Sequence, residues 1–530
     1  MTALSPAAER IAVAERSHAD ARRTTPRIAV GAAVALALLW PLAFLAAELD
    51  REALRTAALR SSTWFTLWQA ALATTIGIAL ALPVAWALAR LDFPARRTLR
   101  ALVSLPIALP ALAFALGAGR LVPEGPWGLL PLVAAHAALA LAIGVRLLGH
   151  AWARLDPQAA EAARVFGHTP LRTALVDDGR MLAPAIVSAW SLAFALTLTA
   201  FASALLLAAD GGTTLPVAVQ AAVDGRMRLA EAASAGVVLA LVAVAALLVF
   251  VRCRPTGGDG SVLAERQPLR SLSGGRRAAL ALVAVVAALI SIGPLLAVLH
   301  AAFTVGAGEQ VTASNLTGLF DAARPFEVDP FSALLRSLLL AVAALVIAVP
   351  IGIAAATAVA PLRGWPAISV EVALLLPLLL PVPIAAGLRA AGLAAPPWLL
   401  LVHLAIAVPL VVRGALAALR SGDRLEREAA TVLGASAWDG WKRLALPRLR
   451  RHVAVAGVVA FAWSLGETGA ALLLYRIDVA TAPVAIVQAL DARTAAADGR
   501  AYGLAAALIL VVTIIFVTIE HRRSREITEF

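Results

Sequence analysis

The 530-residue sequence contains few of the charged residues that soluble proteins carry on their surfaces. Charged residues make up 15% of the chain, whereas hydrophobic residues make up 61%. The mean hydropathy is +0.86. Because a soluble domain averages about 25% charged residues, this composition excludes an ordinary soluble fold and indicates a membrane protein.

Cysteine and lysine are almost absent from the chain. Cys253 is the only cysteine, which excludes an intramolecular disulfide framework. Lys442 is the only lysine and follows Trp441, which excludes a G-x-x-x-x-G-K-[ST] phosphate loop. No H-E-x-x-H, paired-cysteine or G-x-S-x-G motif occurs, and the eight histidines are too scattered for a metal cluster. We therefore expect no catalytic residue, metal site or cofactor in this chain.

Long apolar runs are the main feature of the sequence. A helix needs about 20 apolar residues to cross the hydrocarbon core of a bilayer. Twelve candidate spans meet this requirement and predict an all-α integral membrane protein. They cover roughly residues 28–47, 63–89, 101–119, 129–148, 182–208, 232–251, 278–303, 332–359, 368–391, 398–417, 453–474 and 502–519.

The distribution of arginine predicts the orientation of these spans. With the N-terminus in the cytoplasm, the cytoplasmic side holds 33 of the 45 Arg and Lys residues and the outside holds 12. The positive-inside rule therefore favours cytoplasmic N- and C-termini. The net charge of +12 then follows from topology, and we expect no nucleic-acid partner. The first span is expected to be retained, because no clean signal-peptide cleavage site follows it.

The chain repeats itself after a shift of 267 residues. The shift places Pro83 on Pro350 and His136 on His403. Six spans separate equivalent positions, so the two copies are predicted to have the same orientation, as parallel repeats. The predicted units are a cytoplasmic tail (1–27), a first six-helix half (28–251), a cytoplasmic linker (252–277), a second six-helix half (278–519) and a cytoplasmic tail (520–530).

Each half has a long cytoplasmic loop between its fourth and fifth spans, at about 149–181 and 418–452. Both loops contain Glu-Ala-Ala, three residues and then glycine. The residues around Glu-Ala-Ala favour a helix, and the glycine can end it in the left-handed conformation. Two adjacent alanines leave a face that another protein can approach closely. The pattern indicates a docking element, and a basic helix that only anchors the loop to lipid is the alternative.

The second loop resembles the coupling loop of ABC importer permeases, in which E-A-A is followed by three residues, G, nine residues, an aliphatic residue, one residue and L-P. The second loop matches this pattern throughout, at Glu428, Ala429, Ala430, Gly434, Leu444, Leu446 and Pro447. The first loop matches at Glu161, Ala162, Ala163 and Gly167. It then departs from the pattern, with Asp177 at the aliphatic position and Gly179-Arg180 in place of L-P.

The resemblance implies a permease with two fused halves, of the binding-protein-dependent importer type, in a bacterial inner membrane. It implies two copies of an ABC ATPase subunit, which would bind ATP and Mg and dock on the two loops. It also implies an extracytoplasmic solute-binding protein. The stretch LSGG at 272–275 matches the start of the ATPase signature, but the linker is too short to hold a nucleotide-binding domain. ATP hydrolysis is therefore expected in the separate subunit.

Two fused permeases in one chain are similar to the thiamine and iron(III) import permeases. The stretches at 65–97 (FTLWQAALATTIGIALALPVAWALARLDFPARR) and 201–222 (FASALLLAADGGTTLPVAVQAA) resemble thiamine permeases. The stretch SLGETGAALLL at 464–474 instead resembles the L-G-E-x-G-A segment of iron, molybdate and sulfate permeases. Thiamine and iron(III) are therefore both candidate solutes.

Three ionisable residues within the predicted spans are candidates for the solute pathway. Glu467 lies well inside a span, where burying a carboxylate is costly, and a structural hydrogen bond is the alternative reading. The repeat places Ala200 opposite Glu467, so any site there is asymmetric. His136 and His403 share a repeat position, which indicates a shared role, although hydrogen-bonded bundle histidines are the commoner case.

Two arginines lie near the inner ends of their spans. Arg146 and Arg413 share a repeat position and are expected to snorkel to the membrane interface.

Two other functional classes remain open from the sequence. A twelve-span secondary transporter would need an ion-coupling site, for which Glu467 is the only acidic candidate we place deep in a span. That class would not explain two matched Glu-Ala-Ala loops. A membrane-embedded enzyme would need clustered His, Asp or Cys residues within the spans. A co-purifying ATPase would distinguish the importer from both.

Overall fold

The computed structural model describes most of the chain as helix. The described residues are 24–122, 128–155, 162, 165–167, 178–208, 212–254, 266–305, 310–320, 328–421, 426, 429–430, 432–475 and 480–526. Among them, nine helices are long and apolar enough to cross a membrane, and twelve spans result if each of three bent helix pairs counts as one. The chain is an all-α membrane-spanning protein, which confirms the predicted fold class.

The first half begins with a bent helix pair, followed by a 34-residue helix that is long and apolar enough to cross a membrane. The hydroxyl of Thr56 accepts the backbone N–H of Leu59 at 3.2 Å and caps this long helix. The helices of the first half are α1 Thr24–Leu39, α2 Pro41–Ala47, α3 Ala57–Arg90, α4 Arg96–Ala108, α5 Ala111–Leu121, α6 Leu130–Ala153, α7 Asp178–Leu198, α8 Ala202–Leu207, α9 Leu215–Arg226 and α10 Leu229–Cys253.

The second half follows the same order of long and broken helices. The carboxylate of Asp329 accepts the N–H of Ser332 at 2.8 Å, and Pro330 occupies the first turn of the helix that it caps. The helices of the second half are α11 Gly274–Ala302, α12 Ser314–Thr317, α13 Pro330–Val359, α14 Gly364–Leu375, α15 Pro381–Ala390, α16 Pro396–Arg420, α17 Ala437–Gly440, α18 Leu446–Leu465, α19 Gly469–Leu473, α20 Ala482–Asp491 and α21 Ala495–Glu526.

The helix boundaries follow the 267-residue repeat. Shifted by this offset, α6 covers residues 397–420, which coincide with α16. Shifted α7 and α8 likewise coincide with α18 and α19, to within one residue at each end. Packing recurs with the boundaries, because α3 lies against α6 as α13 lies against α16. An added Cβ at Gly77 of α3 would meet the carbonyl oxygen of Ala137 at 2.5 Å, so the α3–α6 contact depends on glycine.

The first helix of each half packs on the other half. Helix α2 lies against α15, and α11 lies against α4 and α5. Both crossings are tight. A Cβ at Gly117 of α5 would lie 1.8 Å from the carbonyl oxygen of Pro294 in α11, and one at Gly387 of α15 would lie 2.1 Å from that of Pro41. The linker divides the sequence into two halves, but the helices of the two halves pack tightly on each other.

Five predicted spans contain a break in their helix. Those predicted at 28–47 and 368–391 bend by 58° and 76°. The span predicted at 101–119 bends by 110° between α4 and α5, where Pro110 lacks the N–H that a continuous helix needs. The span predicted at 182–208 is interrupted between Leu198 and Ala202, and the span at 453–474 is interrupted at the equivalent place, between Leu465 and Gly469. The spans were predicted from the sequence, but the breaks inside them were not.

Two pairs of short strands lie in the connections between helices. Strand β1 (Leu91–Asp92) pairs in parallel with β2 (Gln267–Pro268), so the end of the linker lies beside the turn that follows α3. Strands β3 (Thr304–Val305) and β4 (Gln310–Val311) form an antiparallel pair after α11. The LSGG stretch ends in the first turn of α11, where Ser273 is the N-cap residue.

Candidate functional site

A cavity lies between the two halves at the matched helix breaks. Its volume is about 150 Å³, and its walls contain residues from both copies of the repeat. Several lining residues are repeat equivalents of one another. Three such pairs are Leu139 with Ile406, Thr199 with Gly466, and Ala200 with Glu467. A cavity lined by equivalent residues from two parallel repeats lies at their pseudo-two-fold axis, which is where a shared pathway is expected.

Glu467 occupies the break between α18 and α19. It is half-buried, lines the cavity, and its Oε1 accepts the backbone N–H of Ala470 at 2.7 Å. The carboxylate thus satisfies one of the free N–H groups at the start of α19. Among the ion pairs between described residues, none includes Glu467. The geometry combines both predicted readings, because the carboxylate has a structural partner and also faces the cavity.

The first-half break has no carboxylate. The hydroxyl of Thr199 donates back to the carbonyl oxygens of Ala195 at 3.1 Å and Leu196 at 3.3 Å, which competes with continuation of the helix. Ala200 stands where Glu467 stands in the second half. The cavity is therefore asymmetric in charge, as the sequence predicts.

The two repeat-related histidines are both buried but differ in their contacts. His136 lines the cavity, and its ring nitrogens lie 3.0 Å from Gln69 Oε1 and 2.6 Å from Ser203 Oγ. His403 Nδ1 lies 2.5 Å from Ser464 Oγ, and its Nε2 has no hydrogen-bond partner among the described residues. His403 is not among the residues that line the cavity. The structure brings Glu467 and His136 to one cavity and leaves His403 in the surrounding bundle.

The second Glu-Ala-Ala loop extends from the end of α16. Gly434 adopts φ of +77°, and the N–H of Ala435 donates to the carbonyl of Ala430 at 2.9 Å. This is the hydrogen bond of a helix that ends at a left-handed glycine. The chain then turns into α17 and one π-helical turn, Trp441–Ala445, before α18. Leu446 and Pro447 form the first turn of α18, where a proline needs no N–H partner.

Side chains on both sides of the glycine contact one another in the second loop. The rings of Trp438 and Trp441 stack at a centroid distance of 5.3 Å. Arg448 of α18 forms an ion pair with Glu426 of the loop. The hydroxyl of Ser436 accepts the N–H of Asp439 at 3.1 Å and caps α17.

The first loop repeats the turn. Gly167 adopts φ of +80°, and the N–H of Phe166 donates to the carbonyl of Ala162 at 3.1 Å. Gly179 and Arg180, which replace the L-P pair, lie in the first turn of α7. Three residues of the predicted docking pattern lie outside the described residues, namely Glu161, Ala163 and Glu428. Asp177, which departs from the pattern, also lies outside them.

In both loops, an exposed pair of apolar residues directly precedes the left-handed glycine. Val165 and Phe166 expose 86% and 80% of their surfaces, and their repeat equivalents Val432 and Leu433 expose 86% and 85%. Trp438 of the second loop is also 65% exposed. Large apolar side chains on a loop tip favour contact with another protein. The sequence pattern marked the alanines and the glycine, but it did not single out these pairs.

A buried carboxylate that the sequence analysis missed is Glu371 of α14. Its side chain is 2% exposed, and it forms ion pairs with Arg254 at 2.5 Å and Arg420 at 2.8 Å. Arg413 lies 4.0 Å from it and stacks 4.4 Å above the ring of Phe250. Glu371 is therefore a second acidic residue within a predicted span, close to the end of that span, and Arg413 near the inner end of its own span contacts it. Glu371 lies inside the span predicted at 368–391, so its position in the sequence was a sufficient signal.

Comparison with known proteins finds a partial similarity over one stretch of the chain. No family model matches the chain. Over 178 residues the chain is 30% identical to the putrescine transport system permease protein PotI of Escherichia coli strain K12, and equally to the protein of that name in Escherichia coli O6:H1 strain CFT073. The match covers 33% of this chain and 58% of the relative, which is less than two thirds of the relative's length. Over that third, the chain is similar to a transport permease.

Proposed function

We propose that this chain is the permease subunit of an ATP-driven ABC importer, with its two halves spanning a bacterial inner membrane. The observation that carries the proposal is the pair of matched loops. Each ends a helix at a left-handed glycine and exposes a large apolar pair at its tip. The similarity to a putrescine transport permease supports the same class.

In this proposal two ATPase subunits dock on the loops from the cytoplasm. The second loop passes directly into α18, whose far end forms the break that carries Glu467. ATP binding and hydrolysis in the ATPase subunits would move the loops, and α7 and α18 would transmit this movement to the cavity as a rigid-body change. An extracytoplasmic binding protein would deliver the solute to the opposite face.

The proposed solute is a small organic cation. Glu467 contributes a carboxylate to the cavity wall, and the rings of Phe114, Phe201 and Trp463 line the same space. A carboxylate beside aromatic faces favours an ammonium or a similar organic cation. Putrescine, by the name of the relative, and thiamine, by the sequence resemblance, both fit this class. Iron(III) fits less well, because the ring nitrogens of His136 already contact Gln69 and Ser203.

An ion-coupled secondary transporter is the second candidate. Glu467 in the cavity could serve as its proton or sodium site. That candidate leaves the two matched docking loops without a role.

Purification of the chain from its host membrane tests the class. We expect an ABC ATPase subunit to co-purify at two copies per chain, and we expect vesicles holding the complex and its binding protein to take up labelled putrescine or labelled thiamine on addition of ATP. Uptake that follows an ion gradient without any bound ATPase would instead establish the secondary transporter. Uptake of labelled iron(III) alone would show that the solute is iron(III) and not an organic cation.

Replacing Glu467 separates the two roles of its carboxylate. Glu467→Gln keeps an oxygen that can accept the N–H of Ala470 and removes the charge, so we expect normal protein levels and at least about a tenfold loss of uptake. Glu467→Ala also removes the cap, which costs about 1 kcal/mol, and should lower the thermal unfolding temperature as well. Uptake at the wild-type rate in Glu467→Gln would reduce the carboxylate to a structural cap.

The orientation can be read from Cys253, the only cysteine, which lies at the end of α10. The positive-inside rule places this residue in the cytoplasm. A membrane-impermeant maleimide should label it in inside-out vesicles and leave it unlabelled in intact cells. Efficient labelling from outside intact cells would reverse the proposed topology.

A further inference from the structure

We infer that Glu371 is a junction that carries movement of the second docking loop to the first half of the protein. The inference rests on the proposed function, because it assumes that the loop moves. It starts from a carboxylate that is almost fully buried and bound by arginines from two other segments.

The contacts of Glu371 satisfy both of its oxygens. Oε1 accepts from Nη1 of Arg254 at 2.5 Å, and Oε2 accepts from Nη2 of the same arginine at 3.2 Å. Oε2 also accepts from Nη1 of Arg420 at 2.8 Å. A bidentate arginine fixes direction as well as distance, so the pair resists rotation of one segment against the other. A buried carboxylate that loses such partners is strongly unfavourable, which keeps the three side chains together.

The three residues lie on segments that are distant in sequence. Arg254 directly follows α10, the last helix of the first half, and Glu371 lies in α14 of the second half. Arg420 is the last residue of α16, immediately before the second docking loop. A displacement of that loop therefore acts on α16 and, through Glu371, on the end of α10.

A second contact links the same helices. The guanidinium of Arg413 in α16 lies over the ring of Phe250 in α10 and 4.0 Å from Glu371. Helix α14 also packs directly against α10. The junction thus has three attachments and behaves as a rigid connection rather than as a single exposed ion pair, which would be weak.

The first half has no equivalent carboxylate. The 267-residue shift places Ser104 opposite Glu371 and Ala153 opposite Arg420. Within the part of the chain that the structure describes, this carboxylate junction lies beside the second loop, which also keeps the whole coupling pattern. The sequence asymmetry of the loops and the structural asymmetry of their supports therefore agree.

The test compares Glu371→Gln with a matched surface control in the complete complex. The control is Glu231→Gln, which removes an ion pair to Arg228 at the opposite end of α10, where both side chains are about half exposed. ATP hydrolysis and uptake of labelled putrescine are measured in the same vesicles. We expect Glu371→Gln to lower uptake per ATP hydrolysed about tenfold while ATP hydrolysis continues, and Glu231→Gln to leave the ratio unchanged.

Cys253 gives an independent measurement of the junction. It neighbours Arg254 and is partly exposed, so release of Arg254 should raise its rate of maleimide labelling in the purified full-length chain. Glu371→Gln should accelerate labelling several-fold, and Glu231→Gln should not. This measurement needs neither ATPase nor solute.

A second variant covers the case in which Glu371→Gln does not fold. Arg254→Gln cuts the link to α10 but leaves Arg420 and Arg413 beside the carboxylate, and it should lower uptake per ATP to a similar extent.

Faster Cys253 labelling in Glu371→Gln with unchanged uptake per ATP would overturn the transmission role, and so would unchanged labelling. A wild-type chain that binds no ATPase subunit would overturn the proposed function itself, and the inference with it.

Discussion

Gly434→Val is expected to uncouple ATP hydrolysis from uptake. Gly434 has φ of +77°, a conformation that costs an ordinary L-residue roughly 1–2 kcal/mol and a β-branched residue more. No atom of a described residue lies within 4 Å of an added Cβ, so the effect comes from the backbone conformation rather than from a clash. The turn that presents Val432 and Leu433 should be lost, and uptake per ATP should fall about tenfold in reconstituted vesicles.

Gly434→Asn is the matched control. Asparagine adopts the left-handed conformation more readily than other non-glycine residues, so this variant should keep most of the coupling although it adds a larger polar side chain. ATPase retention on the purified complex is measured for both variants. Equal loss of coupling in Gly434→Asn and Gly434→Val would show that side-chain size, and not the turn, is responsible.

The equivalent substitution in the first loop should be milder. Gly167 has φ of +80° and equally open surroundings, so Gly167→Val introduces the same local strain. The second loop alone combines the complete coupling pattern with the Glu371 connection, and its failure should therefore cost more transport. Equal damage from both variants would mean that the departures at Asp177, Gly179 and Arg180 have no consequence. Greater damage from Gly167→Val would reverse the ranking of the loops.

Local sequence patterns predicted much of this architecture. The lengths of the apolar runs predicted the spans. The 267-residue shift predicted pairs of equivalent helices, and the ends of these helices coincide in the structure. Gly434 and Gly167 were predicted as helix-ending residues because few residues other than glycine tolerate a left-handed turn. These features depend on residues that are close in sequence or on a comparison of the chain with itself.

The helix interruption at Thr199 and the contacts between distant segments were not predictable in the same way. The interruption at Thr199 contains neither proline nor glycine, so hydropathy shows a continuous span across it. The partners of Glu371 are 117 and 49 residues away in sequence, and no periodicity connects them. The exposed pair Val165 and Phe166 looks like any other apolar dipeptide until its surroundings are known.

The interlocked first helices give the second large expected effect. Gly117→Ala and Gly387→Ala should each destabilise the protein by about 1–3 kcal/mol, the usual cost of overpacking a tight core. Each new Cβ would meet a backbone carbonyl, at 1.8 Å from Pro294 and 2.1 Å from Pro41, so a helix must move to accommodate it. A flexible side chain could yield cheaply, but a backbone atom cannot.

Gly275→Ala provides the control for this prediction. Gly275 lies in the first turn of α11, and an added Cβ there has no atom of the described segments within 4 Å. Thermal unfolding in detergent should show lower midpoints for Gly117→Ala and Gly387→Ala and an unchanged midpoint for Gly275→Ala. The two sites lie on different helix pairs, so their effects should add in the double variant. Wild-type midpoints for both single variants would mean that the halves are not locked together by α2 and α11, and that each half holds its own helices.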